Sequence, residues 1–149
     1  MTIKSALYEA CESHINSKLK TVQDTIFNIQ EALLSESKSS AGDKHETGRA
    51  MLQLEREKAG RQLAEIQKTK EALAKLDINN TSEIVCLGSV VYTSKANYYL
   101  AISAGEIKIG NNIFYAISPR TPIGELLMSK TVGDELCFRS QSFKIEKIL

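Results

Sequence analysis

Residues 15–33 read INSKLKTVQDTIFNIQEAL, and the spacing of their apolar side chains decides the first half of the fold. Large aliphatic residues recur at alternating steps of four and three, at Ile15, Leu19, Val22, Ile26, Ile29 and Leu33. This is the a/d repeat of a helix that packs along one narrow stripe against a single partner helix. The stretch therefore predicts a helix that needs a second helix beside it.

The second helix is predicted after a small polar run at residues 35–42, which reads SESKSSAG and suits a turn. Beyond it the apolar spacing resumes at Ala59, Leu63, Ile66 and Leu73. Residues 3–76 contain no proline and are rich in good helix formers. The sequence predicts an antiparallel two-helix coiled-coil hairpin over residues 1–77, with arms of about 30 residues and on the order of 45 Å.

Residues 78–149 follow a period of two and are rich in β-forming side chains, which predicts strands. The candidate strands are 83–87, 90–93, 98–102, 113–117, 135–138 and 143–148. Pro122, with Thr121 as N-cap, predicts one short helix before the last two strands. The fold class is therefore α+β: a helical hairpin, a linker at residues 77–81, and a small domain with a mostly antiparallel sheet and one short helix.

Composition excludes several classes of protein. Charged residues make up 25% of the 149-residue chain, but the formal net charge is only +1, so bulk attraction to phosphate is not the main attachment. No apolar run approaches the roughly 20 residues of a membrane span, and the N-terminal residues lack the apolar run of a signal peptide. The three cysteines have no paired-ligand spacing, which argues against a disulfide framework and a zinc site. We expect a cytoplasmic monomer.

Residues 42–46 read GDKHE, at the point where the two predicted helices meet. This motif resembles the Gly-Asp-x-x-Glu tip of the Gre family (GreA and GreB) of bacterial transcript cleavage factors. The runs ISPRTPIGELL at 117–127 and KTVGDE at 130–135 are similar to its C-terminal signature, and LGSVV at 87–91 to its first strand region. Order and spacing agree over nearly the whole chain.

The resemblance implies an FKBP-like C-terminal domain that docks at the rim of the secondary channel of bacterial RNA polymerase. The docking residues would be Ser118, Pro119, Arg120 and Pro122. The helical arm would enter the channel and carry its tip to the active centre. There the factor would stimulate the polymerase's own cleavage of backtracked RNA, whose 3′ end has been extruded. The protein itself would not be an enzyme.

The tip carboxylates, Asp43 and Glu46, lie three residues apart at a helix start and would point to neighbouring positions. The resemblance implies that they help to hold a second Mg²⁺ beside one that the polymerase already binds. Two carboxylates suit a shared Mg²⁺ site and are too few for an independent one, so no cofactor of its own is expected. The same spacing also fits a capping box, in which both acids serve the helix start.

Three basic side chains near the tip, His45, Arg49 and Arg56, form a candidate stripe for contact with extruded RNA or polymerase. The alternative is an ordinary solvated face. Further along, Glu57 and Arg61 have the spacing of an i,i+4 ion pair.

Two departures from the family pattern keep other functions open. Residues 47–50 read TGRA, so that Arg49 stands where an acid is usual and no aromatic residue follows the tip, and SAGEI at 103–107 lacks an acidic cluster. One alternative is a Gre-like secondary-channel regulator that inhibits or modulates polymerase without stimulating cleavage. A prolyl isomerase is suggested only by the FKBP-like resemblance, and the absence of tryptophan argues against it.

Overall fold

The computed structural model describes residues 2–38 and 43–149, with side chains described for residues 2–36 and 47–149. Two long helices come first, α1 (Ile3–Lys38) and α2 (Asp43–Ala74). A six-stranded mixed sheet and one short helix follow, which confirms the predicted α+β class. The contacts divide the chain into two units, one of residues 15–70 and one of residues 1–14 with 71–149.

The unit of residues 15–70 contains the predicted apolar seam. Ile29 and Leu33 of α1 form one buried cluster with Ala59 of α2, and Ile26 and Leu52 pack against it. The helices have 36 and 32 residues, longer than the predicted arms, because α1 continues to Lys38 through part of the polar run assigned to the turn. Serine, glutamate and lysine cost little in a helix once neighbouring turns have formed.

The second unit contains the sheet. Its strands are β1 (Val90–Thr93), β2 (Asn97–Leu100), β3 (Gly105–Ile109), β4 (Asn112–Ile117), β5 (Glu135–Phe138) and β6 (Gln141–Ile148). Their spatial order is β3-β4-β2-β1-β6-β5. The β2–β4 pair is parallel and the other pairs are antiparallel. The predicted helix is α3 (Pro122–Leu127), which the side chain of Thr121 caps by accepting a hydrogen bond from the Gly124 N–H.

Two strand assignments made from the sequence need correction. The predicted strand at 83–87 is wrong, since it makes only an isolated bridge between Ile84 and Thr131. Its chain turns instead, because the Ser89 N–H donates to the Cys86 carbonyl oxygen at 3.0 Å. Strand β3 was missed, since Gly, Glu and Lys are poor strand formers. Five registered pairs with β4 hold it in place.

The helix ends belong to the same unit as the sheet. Leu7 and Cys11 of α1 are completely buried, and Leu73 of α2 is 2% exposed. Burial raises the pKa of Tyr99 in β2, with smaller contributions from Cys11 and Tyr8, so these side chains lie close together. The predicted boundary after residue 77 follows the change from helix to strand, whereas the contacts place the divisions after residues 14 and 70.

A separate buried cluster contains Val91 and Leu100 of the sheet together with Leu127 of α3. The short helix therefore packs on the sheet through Leu127, and the loop that precedes it is held against a folded core.

Candidate functional site

The two predicted tip acids lie in the first turn of α2. The helix begins at Asp43, and Glu46 follows three residues later, so one helical turn carries both. The N-terminal end of a helix favours carboxylates through the unpaired N–H groups of its first turn. The side chains of Asp43, His45 and Glu46 lie outside the described side chains and Gly42 outside the described residues, so their roles stay predictions.

The turn that follows is tied to α1. Arg49 is half-buried, and its Nη1 donates a hydrogen bond to the Leu33 carbonyl oxygen at 3.4 Å. Gly48 faces the Glu36 side chain, so that a Cβ added at Gly48 would lie 3.5 Å from Glu36 Oε1. Within residues 15–70, the Arg49 hydrogen bond therefore joins the two helices at the end of the apolar cluster, and Gly48 leaves room for the Glu36 side chain.

This arrangement separates Arg49 from Arg56, the two residues of the predicted stripe whose side chains the structure describes. Arg56 is exposed on α2, as a contact with RNA or polymerase would require. Arg49 instead points its guanidinium at the backbone of α1. Nothing in the spacing of α2 alone signalled that role, because the acceptor is a carbonyl of another helix.

The predicted ion pair between Glu57 and Arg61 is wrong. Among the side chains that the structure describes, these two do not come within ion-pair distance, whereas Lys68 and Glu65 do, at 3.7 Å. Exposed pairs of this kind gain little energy and lose rotamer freedom, so either geometry costs little.

Of the predicted docking residues, Ser118, Pro119 and Arg120 lie in the loop between β4 and α3, and Pro122 is the first residue of α3. Ser118 holds this loop together: its carbonyl oxygen accepts from the Thr121 hydroxyl at 2.7 Å, and its own hydroxyl accepts from the Arg120 N–H at 3.2 Å. Gly124 packs so closely on the loop that an added Cβ would collide with the Ser118 carbonyl oxygen. The motif thus encodes a tight, fixed turn.

Exposure divides the four docking candidates. Arg120 and Pro122 are exposed, whereas Ser118 and Pro119 are half-buried. A partner would meet Arg120 and Pro122 directly, and Ser118 would act by holding the loop in shape.

Two other features bear on the alternatives. A cavity of about 940 Å³ beside the Ile84–Thr131 bridge is lined by aliphatic and polar residues, with no aromatic side chain among them. It offers no support for a prolyl isomerase. Among the residues searched in the described part of the chain, no group of three or more His, Cys, Asp or Glu side chains is arranged to hold a metal ion.

Sequence reasoning missed a buried lysine in α1. Lys4 is 7% exposed, and its Nζ donates to the Asn80 carbonyl oxygen at 2.6 Å. Burial lowers the pKa of Lys4, and the nearby Cys86 and Asp77 partly oppose this shift. This hydrogen bond connects the segment that precedes the sheet, at Asn80, to the first helix. No pattern in the sequence distinguishes Lys4 from the exposed lysines around it.

Comparisons with known proteins give little. No protein-family model and no curated protein matches the chain. Among solved structures, the transcription factor Gfh1 is 19% identical over 95% of this chain and 92% of the other, with a TM-score of 0.35. At this level the similarity identifies neither family nor function. No described helix has both the length and the apolarity to cross a bilayer.

Proposed function

We propose that this protein is an accessory factor of bacterial RNA polymerase that enters the secondary channel and stimulates the polymerase's own cleavage of backtracked RNA. The observation that carries the proposal is the position of Asp43 and Glu46. They occupy the first turn of α2, directly after the connection between two long helices. This is where the resemblance to the Gre family requires two acids.

The dimensions of the helices suit this task. At 1.5 Å per residue, α1 with 36 residues is about 54 Å long and α2 with 32 residues about 48 Å. A buried cluster of Ile29, Leu33 and Ala59 holds the two helices together within residues 15–70. A narrow helical pair of this kind can carry a side chain deep into a channel, where a compact domain would not fit.

The chemistry of the tip fits a shared metal site. Asp43 and Glu46 supply carboxylate oxygens, the ligands that Mg²⁺ prefers, but leave most of its octahedral positions to phosphate, water and polymerase groups. When bound, such an ion would activate water and stabilise the leaving oxygen. This chain would contribute two negative charges, and the Arg49 contact and the seam tie the next turn of α2 to α1.

Docking is assigned to the other unit. Arg120 in the β4–α3 loop and Pro122 at the start of α3 are exposed. Ser118 accepts hydrogen bonds from Arg120 and Thr121, which fixes the segment between them. A rigid loop loses little conformational entropy on binding, which favours its use as a docking element.

A regulator that occupies the channel without stimulating cleavage is the second candidate, and Arg49 is the observation that favours it. Arg49 lies three residues after Glu46 and is fixed to α1 by its bond to Leu33. A cation held one turn from the tip acids opposes the binding of a second cation there.

The test is a cleavage assay on a backtracked complex assembled from purified polymerase. Asp43→Asn and Glu46→Gln preserve size but remove charge, and we expect stimulated cleavage to fall by orders of magnitude while polymerase binding persists. Added Mg²⁺ should partly restore the rate. Glu57→Gln, an exposed position on the same helix, is the matched control.

The outcomes separate the candidates. If the acids only cap the helix, Asp43→Asn should cleave at the wild-type rate, because asparagine caps as well as aspartate. If the protein is a regulator, the wild type should slow elongation without stimulating cleavage. The prolyl isomerase hypothesis requires catalysis on a proline peptide in the absence of polymerase.

A further inference from the structure

A groove of about 640 Å³ runs between the two helices within residues 15–70, beside the apolar seam. On the α1 side it is lined by Ser17, Thr21 and Thr25, which follow one another at steps of four. Residues at this spacing lie one above another on the same helix face. All three are small, so they leave room for another chain to approach the α1 backbone closely.

The two threonine hydroxyl groups of this wall already donate hydrogen bonds within α1. Thr21 Oγ1 donates to the Ser17 carbonyl oxygen at 3.1 Å, and Thr25 Oγ1 donates to the Thr21 carbonyl oxygen at 3.0 Å. Each threonine donor is therefore satisfied within α1, and its methyl group remains for contact. The groove also includes Val22 and Ile66 of the seam. The surface of the groove is therefore more apolar than its serine and threonine residues would suggest.

Two exposed apolar residues, Met51 and Leu54, continue the face of α2 that lines the groove. Met51, Leu54, Lys58, Arg61 and Glu65 follow at alternating steps of three and four, which places them on one side of the helix. Met51 is 57% exposed and Leu54 is 62% exposed. Large apolar side chains this exposed at helix-packing spacing are what a further helix would cover.

The groove also carries an excess of positive charge. Lys18, Lys58 and Arg61 line it, and none of them has an ion-pair partner among the side chains that the structure describes. Glu65, the acid that lines the groove, pairs with Lys68. A partner that brings carboxylates would therefore find three cations available.

We propose that this groove binds a helix of a partner protein, with apolar side chains along one stripe and carboxylates along its edges, to form a local three-helix bundle. Small residues on α1 and larger ones on α2 give the ridges and grooves that helix packing needs. The acidic edges of the partner would meet Lys18, Lys58 and Arg61. The proposal does not depend on a role in transcription.

Two other occupants fit less well. A second copy of the chain in an isologous contact would bring the same three cations against each other. A nucleic-acid backbone would need hydroxyl and cationic donors, but the threonine donors are bonded within α1 and the surface between the cations is apolar.

The test uses the full chain and a labelled designed peptide of about 20 residues, with leucine at the a and d positions and glutamate at e and g. We expect saturable binding by fluorescence anisotropy, with a Kd in the micromolar range at low salt. The triple variant Lys18→Glu, Lys58→Glu, Arg61→Glu should bind it at least about tenfold more weakly. It should also gain affinity for the same peptide with lysine in place of glutamate.

Two controls isolate the face. Arg56→Glu reverses one charge, as each substitution of the triple variant does, at an exposed position of α2 outside the groove, and it should leave binding unchanged. Thr21→Phe should fill the groove and block binding, whereas Gln23→Phe, exposed on another face of α1, should not. Circular dichroism on each variant shows that the helices remain folded.

Three results would overturn the proposal. The first is no saturable binding of the acidic peptide up to about 1 mM, the weak limit of specific association. The second is binding that the triple variant and Thr21→Phe leave intact. The third is tighter binding of a single-stranded RNA oligonucleotide, or concentration-dependent dimerisation, that the triple variant abolishes.

Discussion

The guanidinium of Arg49 on α2 donates a hydrogen bond across the hairpin to the carbonyl oxygen of Leu33 on α1. Leu33 also belongs to the buried cluster that Ile29 and Ala59 form, so the contact joins a polar anchor to the last part of the apolar seam. It fixes the turn of α2 that follows the tip acids. Arg49 therefore anchors α2 to α1 one turn after the predicted tip acids, although its sequence context suggested a surface contact.

Replacing Arg49 tests this anchoring role. Arg49→Met keeps most of the aliphatic stem but removes the donor, and we expect a loss of about 1 kcal/mol of hairpin stability. Hydrogen exchange should accelerate for amides around Leu33. Arg56→Met, at an exposed position one heptad later on the same helix, should change neither quantity. Equal exchange in the two variants would contradict the anchoring role.

Two glycines in different environments should respond oppositely to the same substitution. Gly124→Ala would drive a Cβ into the Ser118 carbonyl oxygen, so we expect it to cost about 2 kcal/mol or more. Gly60 lies inside α2 with nothing within 4 Å of an added Cβ, so Gly60→Ala should stabilise the helix by about 1 kcal/mol. Urea unfolding of both variants measures the difference, and a destabilised Gly60→Ala or a neutral Gly124→Ala would contradict it.

Only those parts of the fold that depend on a local sequence pattern could be predicted from the sequence. The hairpin was predictable because each helix repeats its apolar residues every three or four positions, and one buried stripe requires that spacing. Strand β3 was not, because its stability comes from registered pairing with β4 and not from its own residues. The segment at 83–87 is rich in β-formers, but a turn at Cys86 and Ser89 prevents it from pairing as a strand.

Some residues of the candidate site could likewise be predicted from the sequence, and others could not. The acids at residues 43 and 46 were found because a motif places them together in the sequence. The roles of Arg49 and Lys4 were not, since both act on backbone carbonyls distant in sequence, at Leu33 and Asn80. A contact between residues far apart in the sequence produces no periodic pattern within either segment. It therefore cannot be recognised from the sequence of one segment.

Cys11 gives a prediction about pH. Burial raises the pKa of its thiol from 9.0 to about 12, so the folded protein keeps it neutral while the unfolded chain ionises above pH 9. The unfolded state then binds fewer protons, and stability falls as the pH rises from 9 towards 12, by about 1.4 kcal/mol per pH unit from this group. Cys11→Ala should be less stable than the wild type at pH 7, but the difference should shrink above pH 9.

Denaturant unfolding of both proteins at pH 7, 9 and 10.5 checks this, and only their difference is used because tyrosines with raised pKa values also contribute. A difference that stays constant across the series would mean that the Cys11 thiol ionises as readily in the folded protein as in the unfolded chain.

The last prediction concerns where the chain can be cut. A fragment of residues 78–149 would lack Leu7, Cys11 and Leu73, and Tyr99, which is 1% exposed, would lose part of its cover. We expect this fragment to lose cooperative unfolding and its near-ultraviolet circular dichroism. A chain that joins residues 1–14 to residues 71–149 through a short flexible linker should keep both, since it retains the whole unit.

The two fragments also separate folding from function. Under the proposed function, the joined chain should still bind polymerase through Arg120 and Pro122, but it should not stimulate cleavage because it lacks the tip acids. Cooperative unfolding of the 78–149 fragment, with a midpoint equal to that of the joined chain, would show that the helix ends are dispensable to the sheet. The boundary predicted from the change of helix to strand would then be the better description, and the burial of Leu7 and Cys11 would contribute stability to the helices alone.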